Sequence, residues 1–590
     1  MSDLLPTTKE EMSEKGWNAL DVIIVTGDAY VDHPSYGAAL VARVLEAEGY
    51  RIGIIAQPDL KDPGALRRMG RPKLFFGVTA GNLDPMIANY TANKKPRSED
   101  EYSPGGRKGL RPDRATLHYT NAVKRAFPGI PVVIGGMEAS MRRLAHYDYW
   151  SDTVRRSILL DSKADILVYG MGERQVIEIA GRLKDGGDIK SFDDIRGTVI
   201  VRNDAGPFKD AVPMPSFEEV SSDKNKFNEA FRVAYREQDP VHGRTIIQPH
   251  ARRFIVQLPG AKPLSQREMD RIYELPFART PHPAYKRYGG VPGFDTVKNS
   301  IISHRGCPGE CSFCSLYAHQ GRIVQSRSAG SILKELESIA SRPGFNGTIT
   351  DIGGPTANLY EAHCERWEGE GACKDRRCIF PQKCGNLKLG YSKTIELWRR
   401  AGSIGGVKHI FVGSGVRYDL LNDKESDEFL KHLCANHVSG QLKAAPEHSE
   451  PHLLDAMRKP RFGAYELFVR RFEEASRRLG RKQFIVNYFI SAHPGATLED
   501  ALRLSLKLKK MGIYPEQIQD YIPLPMTASG AMYYTGKDPF SGGHLYVERS
   551  LRARKLQRAL IQYKDSDNKR YVIEALRRLS KMELMREFYP

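Results

Sequence analysis

The chain has 590 residues and 41% hydrophobic content, which at roughly 100–200 residues per domain allows two to four well-cored domains and excludes wholesale disorder. No apolar run approaches the roughly 18 residues of a membrane span, and Met1 to Trp17 is charged and lacks a signal-peptide hydrophobic region, so a soluble cytoplasmic protein without membrane contact is expected. Lysine and arginine exceed aspartate and glutamate for a net charge of +18, a field that favours an anionic partner such as RNA or DNA and equally serves solubility.

In chain order, residues 21–25, 51–55, 73–78, 131–134 and 165–168 are strand-like apolar runs separated by helical stretches such as 38–48. Continuous apolar strands between helices predict an α/β, doubly wound amino-terminal domain over residues 1–184. A polar stretch, 93–114, carries Lys94, Lys95, Arg97, Arg107, Lys108, Arg111 and Arg114, and reads as an exposed loop: a solvated insertion, or a phosphate-contacting arm. Residues 185–292 read as a connector with one amphipathic helix at 217–236.

Alternation resumes with strand candidates at 297–303, 347–352, 409–412, 441–444, 484–490 and 518–522, and helices including 331–340, 427–435, 464–479 and 498–511. Six such units predict a partial (β/α)6 barrel over 293–539 rather than a complete eightfold one. Residues 540–590 form a basic helical carboxyl-terminal region, where phosphate contact and simple packing on the barrel are both open.

Eight cysteines are too few for a disulfide scaffold, and seven lie between Cys307 and Cys384, which points to ligands in a reducing compartment. Cys307, Cys311 and Cys314 stand as C-x3-C-x2-C directly after the first barrel strand, where barrel chemistry is sited. Three thiolates so close can wrap one soft-metal centre, and no fourth cysteine or histidine follows at the short spacing of a closed zinc site. A 4Fe-4S cluster with three protein ligands leaves one iron open to an amine and a carboxylate. S-adenosylmethionine (SAM) fits that vacancy, and an electron from the cluster would break its carbon–sulfur bond to release a 5′-deoxyadenosyl radical. A zinc knuckle completed by His319 or a distant residue is the competing reading.

A second group, Cys364, Cys373, Cys378 and Cys384, lies in a hydrophilic insertion, 361–386, that needs a clip to hold its shape. Its spacing fits neither a zinc ribbon nor a ferredoxin run. Structural zinc, an auxiliary iron–sulfur cluster and redox-active thiols all remain open.

Cys307-Pro-Gly-Glu-Cys311-Ser-Phe-Cys314 resembles the radical SAM signature, with Phe313 as the aromatic residue before the third cysteine. Asp28-Ala-Tyr-Val-Asp-His-Pro34, Ile134-Gly-Gly-Met-Glu-Ala-Ser-Met-Arg-Arg143, Ile352-Gly-Gly-Pro-Thr-Ala-Asn358 and Leu524-Pro-Met-Thr-Ala-Ser529 look like the YgiQ-type family of radical SAM proteins, over nearly the whole chain. The resemblance implies an enzyme that cleaves SAM and modifies an unidentified substrate, nucleic acid among the classes open. It also implies an electron donor such as flavodoxin or ferredoxin. The competing class is a non-catalytic, metal-containing nucleic-acid-binding protein.

The resemblance further places Phe313 near the adenine, Gly353 and Gly354 near the SAM amine with Pro355 where Glu often stands, and Glu447 and His448 near the ribose. Ser414 and Arg417 offer a hydroxyl and a guanidinium for the SAM carboxylate, or mark a tight turn. His493-Pro494-Gly495 looks like the superfamily's turn after the fifth strand, with no proton chemistry assigned to His493. The amino-terminal domain resembles cobalamin-binding domains. The cobalt-ligating Asp-x-His-x-x-Gly pattern is absent, however, since Asp32 and His33 are adjacent, and cobalamin is not expected.

Overall fold

The computed structural model describes residues 4–589. The chain divides into two units: 1–302 with 315–335 and 366–372, and 303–314 with 336–365 and 373–590.

The first unit is built on a nine-stranded sheet. Its strands are β1 (Val22–Thr26), β2 (Ile52–Ala56), β3 (Phe75–Thr79), β4 (Val132–Gly135), β5 (Ile166–Val168), β6 (Thr198–Arg202), β7 (Val212–Pro213), β8 (Ile246–His250) and β9 (Arg253–Gln257), in the order β7-β8-β9-β6-β5-β4-β3-β1-β2. From β2 to β5 every pairing is parallel. These strands read as unbroken apolar runs because both faces are covered, in part by α1 (Gly37–Ala47), α2 (Ala115–Ala126) and α3 (Glu173–Lys184). Ile24, Ile54, Phe75, Val133 and Ile166 share one core with Ala39, Ala42 and Leu45 of α1.

Two expectations change here. Residues 185–292 are not only a connector: they give the sheet β6 to β9, with β6 antiparallel to β5 and a β8–β9 hairpin beyond it. Pro249 and the Arg252-Arg253 pair mask an alternation in which Ile246, Gln248 and His250 turn inward. The helix expected at 217–236 is two helices, Phe217–Ser222 and Lys224–Arg236, because Asp223 leaves helical geometry and caps the second through the Asn225 amide.

The loop at 93–114 is exposed at Lys95, Arg97, Arg107 and Lys108, as expected, but its other cations are built into the fold. Arg111 is fully buried, 2.7 Å from Asp28 Oδ1 and 3.1 Å from Asp100 Oδ2, and donates to the Ala80 carbonyl. Arg114 pairs with Asp148, and Lys94 lies over the Tyr149 ring. The sequence shows charge, but only the fold shows that some of it is matched internally.

The second unit carries short strands in the expected order: β10 (His304–Arg305), β11 (Thr348–Ile349), β12 (Asp351–Gly353), β13 (His409–Ile410), β14 (Gln441–Glu447), β15 (Phe484–Ser491) and β16 (Gln517–Asp520). β11 pairs with β13 and β14-β15-β16 form a ladder, all parallel and without closing into a barrel. α4 (Leu498–Lys510), between β15 and β16, shares a core of Leu502, Leu556, Leu560, Val572 and Leu576 with α5 (Leu551–Ile561) and α6 (Lys569–Arg578), which follow the strands.

The basic residues of the carboxyl-terminal helices are mostly engaged. Arg554 is buried and donates to the Tyr521 carbonyl, Arg552 and Arg578 pair with Glu574, Arg558 with Asp520, and Lys555 donates to Tyr571 Oη. No helix among the described residues is long and apolar enough to cross a membrane.

Candidate metal centre

The loop from Cys307 to Cys314 leaves β10 through Gly306, whose positive φ of 83° is a conformation glycine adopts without a Cβ penalty. Within it Cys314 N–H bonds the Cys311 carbonyl at 3.0 Å, which tightens the last turn. Glu310, a non-glycine residue, sits at φ 46°.

Buried polar groups fix the loop. Ser312 N–H bonds the Met457 carbonyl, and the Ser312 carbonyl accepts from Ser529 N–H at 2.9 Å. The Ser312 and Ser529 hydroxyls lie 2.7 Å apart, and Ser529 Oγ is 2.6 Å from His493 Nε2. His493 Nδ1 lies 2.8 Å from the Pro494 carbonyl, so this nitrogen carries the proton and Nε2 accepts from Ser529. Burial pushes the imidazole down to about 4, keeping it neutral. Phe313 meets the same ring edge-on at 6.3 Å.

Arg417 is the nearby charge. Its guanidinium is held by Asp419 at 3.0 and 2.7 Å and reaches Cys311 Sγ at 3.5 Å. A Cβ at Gly309 would stand 2.8 Å from Arg417 Nη1 and 3.3 Å from Cys307 Sγ, so glycine is what admits the guanidinium. Burial raises the Cys307 thiol to about 11, and Arg417 opposes that rise. Asn358 sets the Arg417 backbone, accepting from its N–H at 2.8 Å and donating to its carbonyl at 3.0 Å.

Around the glycine pair, Asp351 accepts from the Gly413 and Ser414 amides and the Ser414 hydroxyl. A Cβ on Gly353 would fall 2.4 Å from Ser414 Oγ, and one on Gly354 would fall 2.6 Å from the His304 carbonyl. Ser414 and Arg417 are therefore both engaged by this chain's carboxylates, and Gly415 at φ 78° makes the turn. His304 Nε2 beside Gly354 and Tyr418 Oη beside Arg417 are buried without a hydrogen-bond partner.

Glu447 is buried and faces Lys459 at 3.8 Å; desolvation raises its carboxyl to about 7 against the pull of Lys459 and Arg417. His448 Nδ1 accepts from Glu450 N–H at 3.2 Å, a turn contact, and burial lowers it to about 3. Sequence reasoning had flagged the segments holding Ser312, Asn358, His493 and Ser529 but gave none of them a bonding role, and it passed over Asp351. Their partners lie far along the chain and leave no local pattern.

In the second group Cys364 is buried, the other three are half-buried, and Cys384 N–H bonds the Cys378 carbonyl at 2.8 Å. Among the described residues, the three-ligand group whose donor atoms lie within 4.8 Å of one another is Glu450, His452 and Asp500, and it includes no cysteine. A single tetrahedral zinc needs sulfurs about 3.8 Å apart, so neither cysteine group stands at single-ion spacing. Arg503 already supplies the cation at the other group, bonding Glu450 at 2.8 Å and pairing with Asp500.

Residues 4–300 match the radical SAM N-terminal family, 301–507 the radical SAM superfamily, and 516–586 a domain of unknown function. A UPF0313 protein of Methanocella arvoryzae is 49% identical over 578 residues, covering 98% of this chain and 96% of that one. One from Clostridium botulinum is 47% identical over 583 residues, covering 99% and 91%. Among solved structures, the radical SAM methyltransferase TsrM of Kitasatospora setae, with cobalamin and a 4Fe-4S cluster bound, is 16% identical. It aligns over 87% of this chain and 74% of that one with a TM-score of 0.50, a likeness of fold.

Proposed function

The chain belongs to the UPF0313 family of radical SAM proteins, and from that premise we propose that Cys307, Cys311 and Cys314 hold a 4Fe-4S cluster at which SAM is reductively cleaved to modify a substrate. The protein is an enzyme. When bound, the cluster supplies the electron that breaks the SAM carbon–sulfur bond. The observation that carries the ligand assignment is the loop itself: three thiols on one tight segment, locked through Ser312 to Ser529 and His493, with Arg417 against Cys311. Arg417 lowers the cost of gathering thiolate charge, and Asp419 keeps that guanidinium aimed.

Gly353 and Gly354, whose lack of a Cβ lets Ser414 and His304 approach, are carried as the contact to the amine of SAM. Phe313, Glu447 and His448 are carried as contacts to its adenosine. A one-electron donor such as a flavodoxin or ferredoxin completes the system. Arg111 and Arg114 of the 93–114 loop and Arg552, Arg558 and Arg578 of the carboxyl-terminal helices are paired within the chain, while Lys95, Arg97, Arg107 and Lys108 stay exposed, so charge alone does not select a nucleic-acid substrate.

Cobalamin does not fit the ligand crevice of the amino-terminal sheet. In the order β2-β1-β3-β4-β5 the crevice belongs outside the carboxyl ends of β1 and β3. There Arg111 bridges Asp28, after β1, and the Ala80 carbonyl, after β3, while Gln57, after β2, bonds Gly27 and Ser103. The chain fills that place itself.

The test is anaerobic reconstitution with iron and sulfide. Wild type should show a 4Fe-4S spectrum and cleave SAM to 5′-deoxyadenosine under a strong reductant, and Cys311→Ala should lose both. An unchanged spectrum in that variant would refute the ligand assignment.

A further inference from the structure

Arg417 opens a short 3-10 turn over Tyr418–Leu420, and its backbone is held on both sides. Asn358 accepts from its N–H and donates to its carbonyl, and Leu420 N–H reaches the same carbonyl at 3.1 Å. The Thr356 hydroxyl donates to Asn358 Oδ1 at 2.6 Å and so orients that amide in turn. The root of the arginine is therefore fixed before its side chain meets anything.

The guanidinium is divided between two partners. Nε and Nη2 donate to the two oxygens of Asp419 at 3.0 and 2.7 Å, a bidentate grip along one edge that leaves Nη1 on the other side. Nη1 donates to Cys311 Sγ at 3.5 Å. Both side chains of the ion pair are only 8% exposed, so solvent and salt screen them little. The sulfur thus meets the positive end of a buried dipole whose direction Asp419 sets.

We propose that Arg417 sets the reduction potential of the cluster through Cys311. When the one-electron donor delivers its electron, negative charge grows at the centre to which this sulfur belongs, and no bond is made or broken. A fixed N–H donor and cation at the sulfur stabilise the reduced form more than the oxidised form, which raises the potential. Arg417 acts here as a positioning residue, and its work does not involve the carboxylate of SAM. The proposal rests on the reading of Cys311 as a cluster ligand.

The experiment is a redox titration of the anaerobically reconstituted full-length protein without SAM, followed by visible absorbance and by the paramagnetic signal of the reduced cluster. Arg417→Gln alone would strand the buried Asp419 carboxylate. Asp419→Asn is therefore compared with the double variant Arg417→Gln, Asp419→Asn, which differs from it only at residue 417 and buries neither charge. The double variant should show a reduction equilibrium constant at least about tenfold lower, which is about 59 mV for one electron. Equal potentials in the two variants, or a higher potential in the double variant, would overturn the proposal. Weaker SAM binding in the double variant at an unchanged potential would give Arg417 to the SAM carboxylate instead, and equally overturn it. If wild type assembles no cluster, the ligand assignment falls and this proposal falls with it. If the cluster forms and its potential ignores residue 417, the proposal alone falls.

Discussion

The hydroxyl of Ser312, between the second and third cysteines, lies 2.7 Å from that of Ser529, 217 residues further along the chain. Ser529 in turn bonds a neutral His493, so the three-cysteine loop is anchored to segments that follow the fifth and sixth strand positions.

Ser529→Ala leaves His493 Nε2 buried without its donor, a loss of about 1–3 kcal/mol. The reconstituted variant should retain a cluster that bleaches faster in air and gives a broadened paramagnetic signal with SAM. Ser529→Thr, which restores the hydroxyl, should recover much of the wild-type signal. Identical bleaching rates in wild type and Ser529→Ala would show that the contact does not govern the loop.

Replacing Cys373 and Cys378 together should leave the SAM-binding cluster formed while loosening the 361–386 insertion. Metal analysis and limited proteolysis decide this. Loss of all iron in the double variant would mean that the two cysteine groups serve one site.

Arg111 carries a stability prediction and a binding prediction. Arg111→Ala would strand Asp28 and Asp100 in the core and should destabilise the first unit by roughly 3–5 kcal/mol. Wild type incubated with hydroxocobalamin should emerge from gel filtration without its absorbance. Stoichiometric retention would contradict a filled crevice.

Glu447 predicts a pH dependence. Its folded carboxyl is raised to about 7, so the folded chain keeps a proton that the unfolded chain gives up in the ordinary carboxylate range. The resulting stabilisation is complete below the unfolded value, declines as pH rises towards about 7, and is lost above it. Glu447→Gln should raise the thermal midpoint near about pH 8 relative to wild type and leave it little changed near about pH 4. Equal midpoints at both pH values would contradict the assignment.

The parallel strands and the three-cysteine loop were legible because their signals are local. A run such as Val22 to Val25 declares a buried strand, and C-x3-C-x2-C declares three thiols on one tight loop. β8 was not legible, since Pro249 interrupts its apolar pattern and Gln248 and His250 face inward as polar residues. The fate of Arg111 was not legible either: its carboxylates, Asp28 and Asp100, come from a strand end and from its own loop, and only the sheet order brings them together. The net charge of +18 likewise says nothing about which cations already have partners.

α4 spans the point where the match to the radical SAM superfamily ends, at residue 507, and its Leu502 shares one core with Leu556 and Leu560 of α5 and Val572 and Leu576 of α6, which belong to the match over 516–586. The two matched regions therefore meet inside a single hydrophobic interior. Cutting the chain between them would strip α4 of its covering layer and leave its leucines facing water, so the stretch of unknown function acts as the lid of that core. A fragment ending near residue 510 is expected to aggregate, while one that runs through Phe588, which is buried in the same core, keeps that interior sealed.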